Sequence, residues 1–120
     1  MELTNKVALV TGGAIRIGKI ISIALAEAGC DVFIHYGKSA KAAVETKQAI
    51  TDLGRKAVSF SADLSDARNT RKILPAAIDA FGQVDILINN AAVFPDDDRF
   101  KFLTEERWDW IHNINIKSPF

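Results

Sequence analysis

The chain has 120 residues, with 15 basic and 15 acidic side chains and therefore no formal net charge. That length fits one domain, and with the charge even nothing suggests a nucleic-acid surface. A composition of 48% hydrophobic and 25% charged residues is ordinary for a soluble globular chain, and the single cysteine, Cys30, excludes an internal disulfide framework. The opening residues Met1-Glu2-Leu3-Thr4-Asn5-Lys6 lack a signal-peptide pattern, and no apolar run is long enough to span a bilayer. The expectation is a cytoplasmic protein without membrane or nucleic-acid partners, with Cys30 buried and inert.

Val7 to Val10 form an apolar run that reads as a fully buried strand, and Thr11 to Gly18 form a glycine turn. Beyond the turn the apolar period changes. Ile17, Ile20, Ile21, Ala24, Leu25 and Ala28 fall on one face of a helix that ends near Gly29. Asp31 to Tyr36 read as a second strand, and Gly37-Lys38-Ser39 as a turn with Ser39 capping a second helix. That helix has a thin face of Ala40, Ala43, Val44 and Ile50, and Gly54 closes it. Ala57 to Ser61 form a weaker third strand, after which Ser65 or Asp66 can cap a third helix with face Leu74, Ala77, Ile78 and Phe81. Pro75 should kink that helix or mark a restart, and Gly82 ends it. Val84 to Asn90 read as a fourth strand, and a loop runs from Ala91 to about Leu103. Thr104 caps a last helix with Glu105 and Glu106 in its first turn.

Strands that alternate with helices and are apolar throughout imply a parallel sheet covered on both faces. Right-handed crossovers make it a Rossmann-like doubly wound α/β fold, here the N-terminal part with four strands in the expected order 3-2-1-4. The complete fold has six strands, so residues 1–120 read as a dinucleotide-binding domain incomplete at its C-terminus.

A strand feeding a helix through glycines presents free helix N–H groups to a phosphate. Two phosphate patterns compete for this turn. The dinucleotide fingerprint G-x-G-x-x-G is not present as written, while a P-loop nearly is: Gly13, four residues, Gly18, Lys19, and then Ile20 where a metal-binding hydroxyl belongs. A turn that needs its glycines only for close packing is the third alternative. At the second strand, Asp31 has the spacing of a ribose-binding acid but lies at the wrong end, because ligands bind beyond the carboxyl ends of the strands. The residues at the right end are His35, Tyr36, Gly37, Lys38 and Ser39. A cation, a hydroxyl and helix N–H groups suit a 2′-phosphate and favour NADP(H) over NAD(H).

Taken together, Thr11-Gly12-Gly13-Ala14-Ile15-Arg16-Ile17-Gly18, Asp63-Leu64, Asn89-Asn90-Ala91-Ala92 and Asn115 resemble the ordered motifs of short-chain dehydrogenases/reductases, across essentially the whole chain. Those motifs are a T-G-x-x-x-G-x-G turn, an acid after strand three, N-N-A-G after strand four and an Asn on the next long helix. Arg16 replaces the middle glycine and Ala92 the last glycine of N-N-A-G. Arg16, the run His35-Tyr36-Gly37-Lys38-Ser39, and Asn90-Ala91-Ala92-Val93-Phe94 are similar to motifs of pteridine reductases, as are Trp108-Asp109 and Asn115 to Phe120.

The resemblance implies an NADP(H)-dependent oxidoreductase that transfers hydride to a carbonyl or imine of a small molecule, with a pteridine-like substrate in view. It implies cofactor contacts at Gly12, Arg16, Ile17, Gly18, His35, Tyr36, Lys38, Ser39, Asp63, Leu64, Asn90, Ala91 and Ala92. Asp63 would accept from the adenine amino group and the Leu64 N–H would donate to the ring. Asn90 would tie strand four to its neighbours near the adenosine ribose. A helix-capping role for Asp63 and an ordinary turn role for Asn90 remain alternatives. Phe94 would stack on a flat substrate ring.

Asn115 shares an apolar helix face with Trp108 and Ile111, where an unpartnered amide costs about 1–3 kcal/mol. In the family the matching Asn bends the helix, holds a water and belongs to the catalytic set; a satisfied structural Asn is the alternative. His112 has no clear partner, and Asp96-Asp97-Asp98 reads as a solvated loop tip and not as a metal site. The family's Ser…Tyr-x-x-x-Lys pattern is not in these residues, whose one tyrosine is Tyr36. The chain is therefore expected to be inactive alone and, at full length, to form a homo-oligomer. A non-catalytic nucleotide-binding module and a P-loop phosphotransferase are the competing functions.

Overall fold

The computed structural model describes residues 1–96 and 100–120. Four parallel strands, β1 (Val7–Val10), β2 (Asp31–Tyr36), β3 (Ala57–Ser61) and β4 (Ile86–Ile88), stand in the order β3-β2-β1-β4. This is the expected 3-2-1-4 arrangement of a Rossmann-like α/β fold. The sheet register sets Val10 against Ile34 on one side and Ile88 on the other, so the ends of β1, β2 and β4 open onto one edge.

Strand β1 is apolar and buried at every position because both of its faces are covered. Ala8, Val10, Val32, Ile34 and Ala57 point to one face, under α1 (Arg16–Glu27) and α2 (Ala40–Asp52), with Ala14, Ala26, Cys30, Ala43 and Ile50. Leu9 and Phe33 point to the other, against Ile73 and Ala77 of α4 (Ile73–Phe81) and against Ile114. Phe33 packs on Phe60 and meets Phe81 edge-on, at centroid distances of 5.9 and 6.5 Å. Cys30 is buried as expected; its thiol donates to the Leu3 carbonyl, and burial raises its pKa.

Helix α1 corrects the expected face. Gly18, Ser22 and Ala26 are its buried residues, while Ile17 and Ile20 are 68% and 69% exposed. The periodic stripe existed, but small side chains bring the helix close to the sheet and rotate the bulky ones to its flank. The same trade occurs in α2, where Thr46 is buried and Val44 exposed. At the end of α1 the Gly29 N–H bonds Ala26 and the Cys30 N–H bonds Leu25, a Schellman cap with Gly29 left-handed at φ 99°.

The expected third helix is two. Asp66 caps the short α3 (Ala67–Thr70), its carboxylate accepting from the Arg68 N–H at 2.8 Å. Pro75 lies in the first turn of α4, where its missing N–H costs no intrahelical bond, so it marks a restart and not a kink. Leu74 and Ile78 are exposed, contrary to the expected face. Ser39 occupies the N-cap position of α2 without a side-chain capping bond, leaving its hydroxyl uncommitted to the helix. Thr104 does cap α5 (Glu105–His112), accepting from the Arg107 N–H. Helix α5 runs into a π-helical turn over Asn113–Lys117, closed by Ser118 N–H to the Asn113 carbonyl at 2.9 Å. A one-turn 3₁₀ helix (Phe100–Phe102) lies within the expected loop. The acidic run continues from Asp96 into Asp97 and Asp98, which lie outside the described residues. No helix among the described residues is long and apolar enough to cross a membrane.

Candidate functional site

A cleft of about 580 Å³ lies at the carboxyl edge of the sheet, between the β1–α1 turn, the β2–α2 turn and the segments after β3 and β4. Gly12, Arg16, Ile17, Gly18, His35, Tyr36, Lys38, Ser39, Asp63, Leu64, Asn90, Ala91 and Ala92 all line it. Every residue assigned to the cofactor from the sequence therefore meets in one place. Lys19 and Ile20, which the P-loop pattern would need, are not in its walls.

The floor of the cleft is a turn packed to the limit of its glycines. Gly12 has φ 61°, and a Cβ there would stand 3.0 Å from the Ala91 Cα and 3.1 Å from the Asn90 amide nitrogen. A Cβ on Gly18 would overlap the Gly12 carbonyl oxygen. Backbone this close leaves room for a phosphate against the first N–H groups of α1, which have no intrahelical acceptor. Arg16 stands where the family pattern has glycine, and it keeps the left-handed backbone, at φ 50°. The position demands that conformation, and here an arginine adopts it at some strain.

Side chains from three elements and from the segment after β4 hold the turn. His35 Nδ1 accepts from the Gly12 N–H at 3.2 Å, while the Ser22 hydroxyl donates to the Gly13 carbonyl and the Thr46 hydroxyl to the Ala14 carbonyl. The Asn90 amide donates to the Thr11 and Gly12 carbonyls at 3.0 and 3.1 Å. The Thr11 hydroxyl accepts in return from the Asn90 and Ala91 N–H groups at 3.1 and 3.0 Å. Asn90 therefore ties the end of β4 to the end of β1, as expected.

His35 is buried, and its Nε2 lies 2.9 Å from the Ala62 carbonyl. Both ring nitrogens are engaged within the protein, so its place in the wall is structural. Burial pushes its pKa below the ordinary imidazole value, against the opposing pull of the Ala62 bond. The Asp63 carboxylate accepts from the Ser65 hydroxyl and N–H at 2.7 and 2.9 Å, which lowers its pKa. Asp63 is therefore not a helix cap; Asp66 has that role.

Residues 6–120 match the family described as short chain dehydrogenase. The chain belongs to the short-chain dehydrogenase family. It is 40% identical over 119 residues to 2-dehydro-3-deoxy-D-gluconate 5-dehydrogenase of Dickeya dadantii, covering 99% of this chain and 46% of that one. It is 38% identical over 121 residues to hydroxynaphthalene reductase arp2 of Aspergillus fumigatus, covering 98% and 43% respectively. A short chain dehydrogenase of Burkholderia cenocepacia, solved in complex with NADP, superposes with a TM-score of 0.93 at 39% identity, covering 98% of this chain and 48% of that one. The chain spans about half the length of these relatives. The family membership read from the motifs holds. The pteridine-reductase likeness is not what these relatives are named for.

The two remaining site residues lie apart from the short-chain dehydrogenase cleft. Phe94 is 88% exposed and is not in the wall, so the structure does not bring it to a position for ring stacking. Asn115 sits in the π-helical turn with its amide committed to Val93, accepting from the N–H at 2.8 Å and donating to the carbonyl at 2.9 Å. The helix irregularity at this Asn is present, and the amide is satisfied by backbone. Trp110, missed in the sequence, lines the cleft together with Val93 and Ile114. Its spacing of four from the buried Ile114 was the available signal. His112, read as partnerless, stacks on Trp108 at 4.0 Å, and its Nδ1 meets the Trp108 carbonyl at 2.9 Å.

Proposed function

We propose that this chain is the cofactor-binding part of an NADP(H)-dependent oxidoreductase that moves hydride between the dinucleotide and a carbonyl or imine carbon of a small molecule. The observation that carries this reading is the single cleft shared by the start of α1, the Lys38-Ser39 turn and Asp63-Leu64. The glycine-tight floor and the uncapped helix N–H groups suit a pyrophosphate. Lys38 and the uncommitted Ser39 hydroxyl suit a 2′-phosphate, at the β2 end where an NAD-selecting acid would otherwise stand. The dinucleotide, when bound, supplies or accepts the hydride. The chain's own residues bind it, and Asn115 fixes the Val93 backbone beside the cleft.

For the substrate we infer a carbonyl on a small hydroxylated molecule. The sugar-acid and hydroxynaphthalene names of the relatives support this class. The pteridine-like alternative rests on Arg16 and Phe94, and the exposure of Phe94 weighs against it. In residues 1–120 alone the only tyrosine is Tyr36, at the phosphate end of the cleft and four residues ahead of Ala40. The reading for these residues by themselves is binding without turnover. Leu87, half exposed on edge strand β4, supports association between copies, which sedimentation velocity reads directly.

Titration with NADPH and NADH tests the cofactor. NADPH should bind at least about tenfold tighter, and Lys38→Asp should erase that margin by setting an anion against the 2′-phosphate. Equal affinities in the unaltered protein would overturn the reading.

A further inference from the structure

Among the described residues His35 is the one titratable side chain buried in the wall of the cleft, and its hydrogen bonds assign its proton. The Gly12 N–H can only donate, so Nδ1 must be bare; the Ala62 carbonyl can only accept, so Nε2 must carry the hydrogen. The ring therefore links the floor of the phosphate turn to the residue preceding Asp63. Backbone completes this link, because the Gly13 N–H donates to the His35 carbonyl at 3.0 Å.

We infer that His35 is a positioning residue for cofactor binding: as a neutral imidazole with its proton on Nε2, it holds Gly12 in place, and a second proton on Nδ1 releases the turn and lowers cofactor affinity. The inference rests on the NADP(H) reading of the cleft. A protonated Nδ1 would face the Gly12 N–H donor to donor. Gly12 cannot shift alone, because its carbonyl accepts from Asn90 and lies where a Gly18 Cβ would be. Displacement of Gly12 is therefore passed to Gly18, at the start of α1.

The surroundings leave this titration to His35 itself. The flanking strands β1 and β3 carry no titratable side chain. The charged groups on the adjoining segments are Arg16 at the start of α1, Lys38 after β2, and Asp63 after Ala62, whose carboxylate is held by Ser65. Burial lowers the His35 pKa and the Ala62 bond partly restores it, so the release falls on the acid side of neutrality.

Two measurements on the 120-residue protein test the inference. His35 and His112 are the only histidines, so imidazole ¹H–¹⁵N spectra are simple to assign with His35→Asn as reference. At pH 7.5 His35 should give the Nε2–H pattern, and on acidification the Gly12 amide should titrate with the same midpoint. The Nδ1–H tautomer, or a Gly12 amide indifferent to that midpoint, would overturn the inference. NADP⁺ affinity is then followed calorimetrically from pH 7.5 to 5 in wild type and His35→Asn, whose side-chain oxygen can still accept from Gly12 but does not titrate. Because the ligand's own phosphate titrates identically in both, the ratio of dissociation constants isolates His35. That ratio should grow by about tenfold per pH unit below the His35 pKa. A constant ratio would overturn the inference while leaving the cofactor reading intact, whereas no NADP⁺ binding by wild type at pH 7.5 would overturn both. If His35→Asn does not fold, His35→Gln, which keeps a donor toward Ala62, takes its place as the non-titrating comparison.

Discussion

At the phosphate end of the cleft, the backbone of Gly12, Gly13 and Ala14 is held by His35, Ser22 and Thr46 from three elements and by Asn90 from the segment after β4. At the other end, among the described residues, the Asn115 side chain bonds the Val93 backbone, and Ala91 and Val93 pack against the cluster that holds Ile114. Beyond Val93 the chain turns outward, and Phe94 stands almost fully in solvent. The phosphate end is fixed because the carbonyls of Gly12, Gly13 and Ala14 and the Gly12 N–H are each bonded by a side chain. The far end leaves loop residues free to differ, which fits relatives of about 40% identity named for unlike substrates.

The contrast predicts graded responses to substitution. The largest should come from Gly18→Ala, because the new Cβ meets the Gly12 carbonyl oxygen and backbone cannot yield as a flexible side chain would. A loss of about 3 kcal/mol or more in urea unfolding, with NADP⁺ binding abolished, is expected. Asn90→Ala removes the donor to the Thr11 and Gly12 carbonyls and should cost about 1–3 kcal/mol, with weakened NADP⁺ binding by calorimetry. Arg16→Gly keeps the left-handed backbone and removes its strain while loosening the unfolded chain, so stability should change by about 1 kcal/mol or less. Phe94→Ala should shift stability by about 0.5 kcal/mol at most and leave NADP⁺ affinity unchanged; a sharp drop in thermal stability would show that the far end is packed after all.

The phosphate end also carries a pH signature. His35 has a folded pKa below its unfolded value of about 6.5, so in the window between the two the unfolded chain binds more protons. Its contribution to stability is complete above the unfolded value and falls as pH drops through that window. Urea midpoints in wild type should decline over that interval more steeply than in His35→Asn.

What the sequence conveyed followed the same division. Strands β1 and β2 and their order could be read because continuous apolar runs bounded by glycines leave few alternatives. The cleft residues could be read because close backbone approach restricts the residue type, as at Gly12 and Gly18. The faces of α1 and α4 could not, since periodicity marks a stripe without saying which edge meets the sheet; Gly18, Ser22 and Ala26 decided it by being small. The role of His35 was hidden for a related reason. Its position at the end of β2 indicated the cleft, but its partners Gly12 and Ala62 are backbone groups with no side-chain signature. The exposure of Phe94 was not legible because position along the chain does not fix which way a loop residue turns.

The most direct measurement is amide chemical-shift mapping of NADP⁺ on the 120-residue protein. The account predicts that the perturbed amides run through Gly12 to Gly18, Lys38, Ser39 and Leu64, while those of Leu74 and Leu87, which line a separate hollow, stay still. Shifts centred on Leu74 and Leu87, with the Gly12 to Gly18 amides unmoved, would contradict it.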